Sequence, residues 1–184
     1  GDRVMIREYA TIHRASQKGV FTTVGSDTLI MGSAHVAHDS HIGSHVIIAN
    51  GSLIAGHVTI EDQAVLSGHV VVHQFVRIGR LAMIGGLSRV IQDVPPFFLV
   101  KGDTEVWSIN MVGIKRAGIS EQGRAKIREA YRLLYRSGLN RTQALKAIQA
   151  IKDTTPEVEY LVRFIQNASS RGICRHHLRR SEES

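Results

Sequence analysis

The sequence predicts a parallel β-helix solenoid followed by a small α-helical domain, and three observations carry that expectation. A branched aliphatic recurs every sixth residue at twelve positions: Val24, Ile30, Val36, Ile42, Ile48, Ile54, Ile60, Leu66, Val72, Ile78, Ile84 and Val90. Small residues keep step with it. The next position is usually Gly, Ala or Ser (Gly25, Ala37, Ser67), and the fourth is small or Val (Thr28, Ala34, Ser40, Val46). Beyond Pro95-Pro96 the period turns helical. A six-residue period fits no helix, whose apolar positions recur at about 3.6 residues. It fits a chain that turns a corner every six residues, so that three hexads close one triangular coil and coils stack roughly 4.8 Å apart. The aliphatic is expected to point inward at each corner, with the small residue after it letting the backbone bend.

Along the chain, Ile6 and Ile12 extend the phase backwards, and Gly1 falls just after the place of a missing aliphatic, with no initiator Met. The chain therefore reads as one that has lost upstream coils; the alternative is a short variant whose open end is covered by oligomerisation. Residues 14–23 break the rule, with Lys18 where an aliphatic belongs, and read as a loop expelled from a coil corner, the kind of segment that often carries function. The coils run to Asp93-Val94-Pro95-Pro96, where two prolines stop strand pairing. The division is thus 1–102 for the β-helix and 103–184 for the helical part. In the latter, a first helix is expected from Trp107 to Ala117, ending at Gly118, and a second after Ser120, with Ile127, Tyr131, Leu134 and Tyr135 on one face. A third is expected from about Arg141 to Lys152, and a fourth from the Thr155-Pro156-Glu157 start signal. From about Ser170 the chain is polar and basic and is expected to fray.

The composition narrows the function classes. With 43% apolar and 21% charged residues the chain can bury a solenoid core. It contains nothing near 18 consecutive apolar residues, so no membrane-spanning helix and no stable membrane insertion are expected. A single cysteine, Cys174, cannot form an intramolecular disulfide, and with no signal-peptide pattern at the N-terminus the cytoplasm is the default. Residues 1–102 hold 8 basic and 7 acidic side chains, whereas 103–184 hold 15 and 9. The basic excess therefore belongs to the C-terminal part, as a docking surface for an acidic partner requires. Nucleic acid is disfavoured as that partner, because no aromatic-rich or recognised binding motif accompanies the charge.

Chemistry points to the histidines. The solenoid holds eight: His13, His35, His38, His41, His45, His57, His69 and His73. Because a coil is three hexads, His38 and His57 fall on nearly one face a coil apart, with His73 one coil further along the solenoid. Clustered imidazoles suit either a metal or proton transfer near neutral pH. No two coil histidines lie five apart, so the paired-histidine zinc site known on some hexapeptide trimers is absent, and no metal is assigned.

The runs Ala34-His35-Val36-Ala37-His38-Asp39-Ser40, Ala55-Gly56-His57, Val72-His73-Gln74-Phe75 and Ile91-Gln92-Asp93-Val94-Pro95-Pro96 resemble one family closely. It is the acyl-carrier-protein-dependent UDP-N-acetylglucosamine O-acyltransferases that start lipid A synthesis. Asn110-Met111-Val112-Gly113-Ile114-Lys115-Arg116 and the Tyr131–Gly138 helix end add matches, in order, over essentially the whole chain. The resemblance implies a left-handed β-helix, the rare hand for parallel crossovers, assembled as a homotrimer. It implies transfer of a 3-hydroxyacyl chain from acyl carrier protein to the glucosamine 3-hydroxyl of UDP-N-acetylglucosamine, with no cofactor. Carried over by position, His38 matches the general base, Asp39 its partner and Gly56 the oxyanion donor. His35, His57, His73, Gln74, Asn110 and Arg116 match the nucleotide-sugar site, and Gly86 the point where the acyl chain end is measured. Ala117 stands where a second basic residue is common in the family. The competing readings are another acyltransferase on the same scaffold, N-acyl or acetyl-CoA-dependent, and a trimeric scaffold without turnover.

Overall fold

The corners of this molecule are made by residues in a conformation that L-amino acids usually avoid. In the computed structural model, which describes residues 1–177, each hexad is a two-residue strand followed by a turn. The first sheet collects β1 (Met5–Ile6), β4 (Leu29–Ile30), β7 (Ile47–Ile48), β10 (Val65–Leu66) and β13 (Met83–Ile84). The second stacks β2 (Thr11–Ile12), β5 (His35–Val36), β8 (Leu53–Ile54), β11 (Val71–Val72) and β14 (Arg89–Val90). The third stacks β3 (Thr23–Val24), β6 (His41–Ile42), β9 (Thr59–Ile60) and β12 (Arg77–Ile78). All pairings between these strands are parallel, with register such as Leu29↔Ile47 and Val71↔Arg89, one coil apart.

The aliphatic of each hexad is the second strand residue, not the corner as the sequence suggested. It points into the core, as Ile30, Ile48, Ile54, Leu66 and Ile84 do at 0% exposure. The corner comes three residues later, at left-handed φ: Asp27 (57°), Asp39 (59°), His45 (56°), His57 (59°), Gln63 (60°) and Phe75 (66°). That backbone is unfavourable by about 1–2 kcal/mol for a non-glycine residue. It is held because the corner N–H donates to the coil below, as His57 to the His38 carbonyl (3.0 Å) and His69 to the Asn50 carbonyl (2.9 Å). The residue after the aliphatic is small for a packing reason. A Cβ on Gly25 would lie 2.5 Å from the Gly43 backbone of the next coil.

The small position four after the aliphatic is buried throughout, and its hydroxyls are used. Thr28, Ser40 and Ser52 donate to the carbonyls of Gly43 (2.8 Å), Ala55 (3.0 Å) and Ser67 (3.0 Å). They also accept from the N–H groups of Val46, Val58 and Val70, so these three buried hydroxyls are satisfied. The expected loop is real. Thr11 pairs with His35, 24 residues on, where Thr23 pairs with His41, 18 residues on, so six extra residues are accommodated between β2 and β3.

After the double proline the strands do not stop. β15 (Phe98–Lys101) pairs with β13, and β16 (Glu105–Ile109) returns antiparallel to it. The helix expected from Trp107 therefore starts later, as α1 (Met111–Arg116). The run Glu105-Val106-Trp107-Ser108-Ile109 puts Val106 into the core and Trp107 outward, a period of two that suits a strand. α2 (Glu121–Tyr135) begins at Ser120, whose hydroxyl accepts from the Gly123 N–H. α3 (Arg141–Gln149) ends three residues earlier than expected and is opened by an Asn140–Gln143 capping box. α4 (Pro156–Gln166) starts where predicted, but Thr155 makes no side-chain cap and its buried hydroxyl has no partner among the described residues. Residues 171–177 pack onto the coils instead of fraying: the Cys174 N–H donates to the Asp93 carbonyl (2.9 Å), and the fully buried Asp93 side chain accepts from the Ser169 N–H (2.6 Å) and hydroxyl (2.8 Å). β17 (Arg175–His176) then pairs with β16. Cys174, next in the chain before it, is buried, and burial pushes its thiol up to about 12. Residues 178–184, including Arg179 and Arg180 of the basic tail, lie outside the described residues.

Candidate active site

Outward-facing corner residues of successive coils line up, and the corner between the second and third sheets is the one loaded with histidine. There the 14–23 loop, His38-Asp39, Gly56-His57 and His73-Gln74-Phe75 follow one another, since each segment joins a second-sheet strand to the third sheet. The hexad leaves these positions outside the aliphatic core, so polar groups can gather there.

Asp39 is the centre. It is 6% exposed, and its Oδ2 lies 2.7 Å from His38 Nδ1. The Ser16 N–H donates to both carboxylate oxygens at 3.2 Å, and the Asp39 N–H donates to Thr22 Oγ1 at 2.9 Å. The His38 hydrogen bond, followed by those from Ser16, pulls the Asp39 carboxyl down to about 2. An ionised Asp39 makes Nδ1 the protonated nitrogen of neutral His38, which leaves the lone pair on Nε2. His38 itself is 45% exposed.

Gly56 sits one coil from His38. A Cβ there would lie 2.7 Å from His38 Cε1 and 2.8 Å from Nε2. Gly56 is absent from the positive-φ glycines, so it is small because the imidazole needs the space, not because the corner needs its conformation. Its N–H has no acceptor among the described residues. His57 packs edge-on against His38 (centroids 5.2 Å, 90°) and flat against Phe75 (4.8 Å, 10°), with Nε2 3.8 Å from Asp39 Oδ2.

His38, Asp39 and His57 offer three donor atoms within 4.8 Å of one another. The 2.7 Å separation between His38 Nδ1 and Asp39 Oδ2 is a hydrogen bond with a proton between them. Two ligands at about 2.0–2.1 Å from a tetrahedral zinc would lie roughly 3.3 Å apart. The geometry is thus that of a carboxylate–imidazole pair.

The other candidates divide. His35 is an outward residue of β5 whose Nδ1 meets Thr11 Oγ1 (2.8 Å) and whose ring meets His13 edge-on (4.6 Å). Burial, then the His13 charge, holds its pKa below the usual histidine range. His73 and Gln74 are exposed on the histidine corner, where Arg171 donates to the Gln74 carbonyl (3.2 Å). Gly86 lies on a different corner, between the first and second sheets; a Cβ there would make only ordinary contacts, 3.4 Å to Gly68 O and 3.8 Å to Ser67 Cβ. Asn110 is buried, donates to Leu81 O (2.9 Å) and accepts from Gly113 N–H (2.9 Å). Both ends of its amide are therefore spent on capping α1 and tying it to the corner between the third and first sheets. Arg116 is exposed and makes no ion pair among the described residues. The chain thus brings His38, Asp39, Gly56, His57, His73 and Gln74 to one corner, with His35 beside them on the adjoining face, while Gly86 and Asn110 stand on other edges.

Sequence reasoning missed Ser16, Thr22 and Phe75, and left His13 open. His13 was findable: counting the six-residue insertion sets it opposite Ala37, between His35 and His38. Ser16 acts through its main chain, which leaves no trace in residue identity.

Comparison with known proteins follows the same lines. A family described as UDP N-acetylglucosamine O-acyltransferase, domain 2, matches residues 93–174, and the bacterial transferase hexapeptide family (six repeats) matches residues 21–56. The chain is similar to the acyl-[acyl-carrier-protein]–UDP-N-acetylglucosamine O-acyltransferase of Gloeothece citriformis, 44% identical over 92% of this chain and 62% of that protein. With the protein of the same name from Burkholderia mallei it is 42% identical, over 95% and 69%. The solved UDP-N-acetylglucosamine acyltransferase of Francisella novicida superimposes with a TM-score of 0.89 at 40% identity, over 95% of this chain and 64% of that one. The chain spans about three fifths of the Gloeothece and Francisella proteins.

Proposed function

The chain belongs to the UDP-N-acetylglucosamine O-acyltransferase family, and on that premise we propose that it transfers a 3-hydroxyacyl chain from acyl carrier protein to the glucosamine 3-hydroxyl of UDP-N-acetylglucosamine, the opening step of lipid A synthesis. The observation that carries the proposal is the His38–Asp39 pair, with the His38 ring packed against Gly56, whose N–H has no acceptor among the described residues. Nε2 takes the proton of the sugar hydroxyl as its oxygen attacks the thioester carbon, and Asp39 stabilises the imidazolium that forms. The Gly56 N–H donates to the oxyanion of the tetrahedral intermediate. When that intermediate collapses, the C–S bond breaks and the imidazolium returns its proton to the carrier thiolate. No step calls for a metal or organic cofactor.

Around this centre, His57, His35, His73 and Gln74 supply imidazole and amide contacts to the nucleotide sugar. Arg116, which has no carboxylate partner among the described residues, meets a phosphate oxygen, and Asn110 serves by fixing the helix that carries it. Gly86 leaves space for the acyl terminus. The active assembly is a homotrimer. The outward residues of the first sheet, Met5, Leu29, Ile47, Val65, Met83 and Leu99, are all apolar, Met5 is 57% exposed, and the adjoining corner carries Leu87 at 82%. Such a surface suits a second copy of the chain, and cyclic packing would set the Gly86 and Arg116 edges of one copy against the histidine corner of another. The basic helices of 103–184 receive the acidic carrier protein. Among the described residues no helix is long and apolar enough to cross a membrane, and we place the reaction in the cytoplasm.

The test is transfer of labelled acyl groups from 3-hydroxyacyl carrier proteins to UDP-N-acetylglucosamine by the chain and by its His38→Ala variant. Turnover that falls by at least about 100-fold in the variant is expected of a general base. Equal turnover in the two would refute the assignment.

A further inference from the structure

The extra residues between β2 and β3 reach across to the proposed catalytic carboxylate. The loop is anchored by Ala15, which is 6% exposed, and grips Asp39 at both ends: its main-chain N–H at Ser16 holds the carboxylate, and its hydroxyl at Thr22 takes the Asp39 N–H. Asp39 stands at a left-handed φ of 59°, a conformation that needs such support. The charged groups facing its carboxylate are His38, at 2.7 Å on the same corner, and His57, at 3.8 Å on the next. Arg14 and Lys18 of the loop form no ion pair with it. The loop therefore acts on Asp39 through fixed dipoles rather than charge.

We infer that Ser16, through its N–H, and Thr22, through its hydroxyl, are positioning residues for the acyl transfer proposed above, holding Asp39 so that His38 keeps its proton on Nδ1 and presents Nε2 to the substrate. The expelled loop is then part of the reaction apparatus. A carboxylate fixed from one side only would swing about its χ angles and let the neutral imidazole sample both tautomers, one of which presents N–H instead of a lone pair. The inference rests on the assignment of His38 as base, but its structural half does not require turnover.

The experiment pairs ¹⁵N NMR of the His38 ring with steady-state kinetics on the full chain. The variants are Thr22→Val, Thr22→Ser, Ser16→Pro, which removes the N–H, and Ser16→Ala, which keeps it. In the parent protein, neutral His38 should show one tautomer, protonated at Nδ1. Thr22→Val and Ser16→Pro should mix the tautomers and lower kcat by roughly 10- to 100-fold, the scale of a misplaced catalytic group, with KM unchanged. Thr22→Ser and Ser16→Ala should behave like the parent. In an Asp39→Ala background, Thr22→Val should bring no further loss. A native tautomer retained in both disruptive variants, or an equal loss from Thr22→Val with and without Asp39, would overturn the inference. If His38→Ala retained turnover while the tautomer followed the loop, the assignment of His38 as base would fall instead, leaving the loop's hold on the ring standing.

Discussion

Adding one methyl group at Gly56 should disable the proposed base without unfolding the protein. An alanine Cβ would lie 2.7 Å from His38 Cε1 and 2.8 Å from Nε2. Carbon atoms rest at about 3.5–4.0 Å, so the ring must retreat by about 0.8 Å or more. The backbone of Gly56 is tied into the stack through its carbonyl, which accepts from Phe75 N–H (3.3 Å), so the mobile partner is the half-exposed imidazole. Moving the ring by that distance stretches or breaks the 2.7 Å bond to Asp39 and takes Nε2 away from its place beside Gly56. A displacement near 1 Å at a reacting group is worth roughly 100-fold in rate, so Gly56→Ala should lower kcat by about that factor with little change in KM. Because the ring can swing into solvent, overpacking should stay at the low end of the usual range, about 1 kcal/mol. The assay is acyl transfer at saturating UDP-N-acetylglucosamine, with thermal melting alongside. Gly32→Ala, whose Cβ would meet nothing closer than 3.5 Å and which has no part in the proposed site, is the control. Full kcat in a folded Gly56→Ala protein would refute the reasoning, because it would mean that the ring's position against Gly56 does not matter to turnover.

Other expectations follow from the same structure. The Asp39 carboxyl titrates at about 2 in the fold, below its unfolded value of about 3.9. Its stabilisation is therefore complete above the unfolded value and lost as pH falls through 2, so the Tm gap between the native chain and Asp39→Asn should close between about pH 4 and pH 2; a gap constant to pH 2 would contradict this. Ile54→Ala opens a cavity at a fully buried core position and should destabilise by about 2–5 kcal/mol in denaturant titration, whereas Ile47→Ala, facing outward on the first sheet, should change monomer stability by far less and weaken self-association measured by light scattering. Thr155→Val replaces a buried hydroxyl that has no partner among the described residues and should raise stability by about 1 kcal/mol, visible as a higher Tm; a lower Tm would show that the hydroxyl is satisfied in solution.

The hexad pattern determined the solenoid, which residues face in and out, and where the loop is expelled, because each hexad repeats one local solution to burying an aliphatic beside a tight turn. The coil arithmetic also put His38 and His57 together, since residues about one coil apart must stack, whereas Gly56 was singled out by the family resemblance. Helix starts carried by a capping side chain were legible, as at Ser120. The Trp107 segment was not: with apolar residues at Val106, Trp107 and Ile109 it satisfies a strand or a helix, and only the open edge of β15 decided in favour of pairing. Tertiary structure alone also decided the finer workings of the site. Asn110 looks in the sequence like a polar ligand for substrate, yet both ends of its amide are taken by the chain. Ser16 and Thr22 look like ordinary loop residues, yet they hold the carboxylate that orients the base. The physical reason is range. Periodicity encodes contacts that every hexad repeats, while the grip on Asp39 joins residues 17 and 23 positions apart through a main-chain N–H and a hydroxyl placed by the path of one irregular loop.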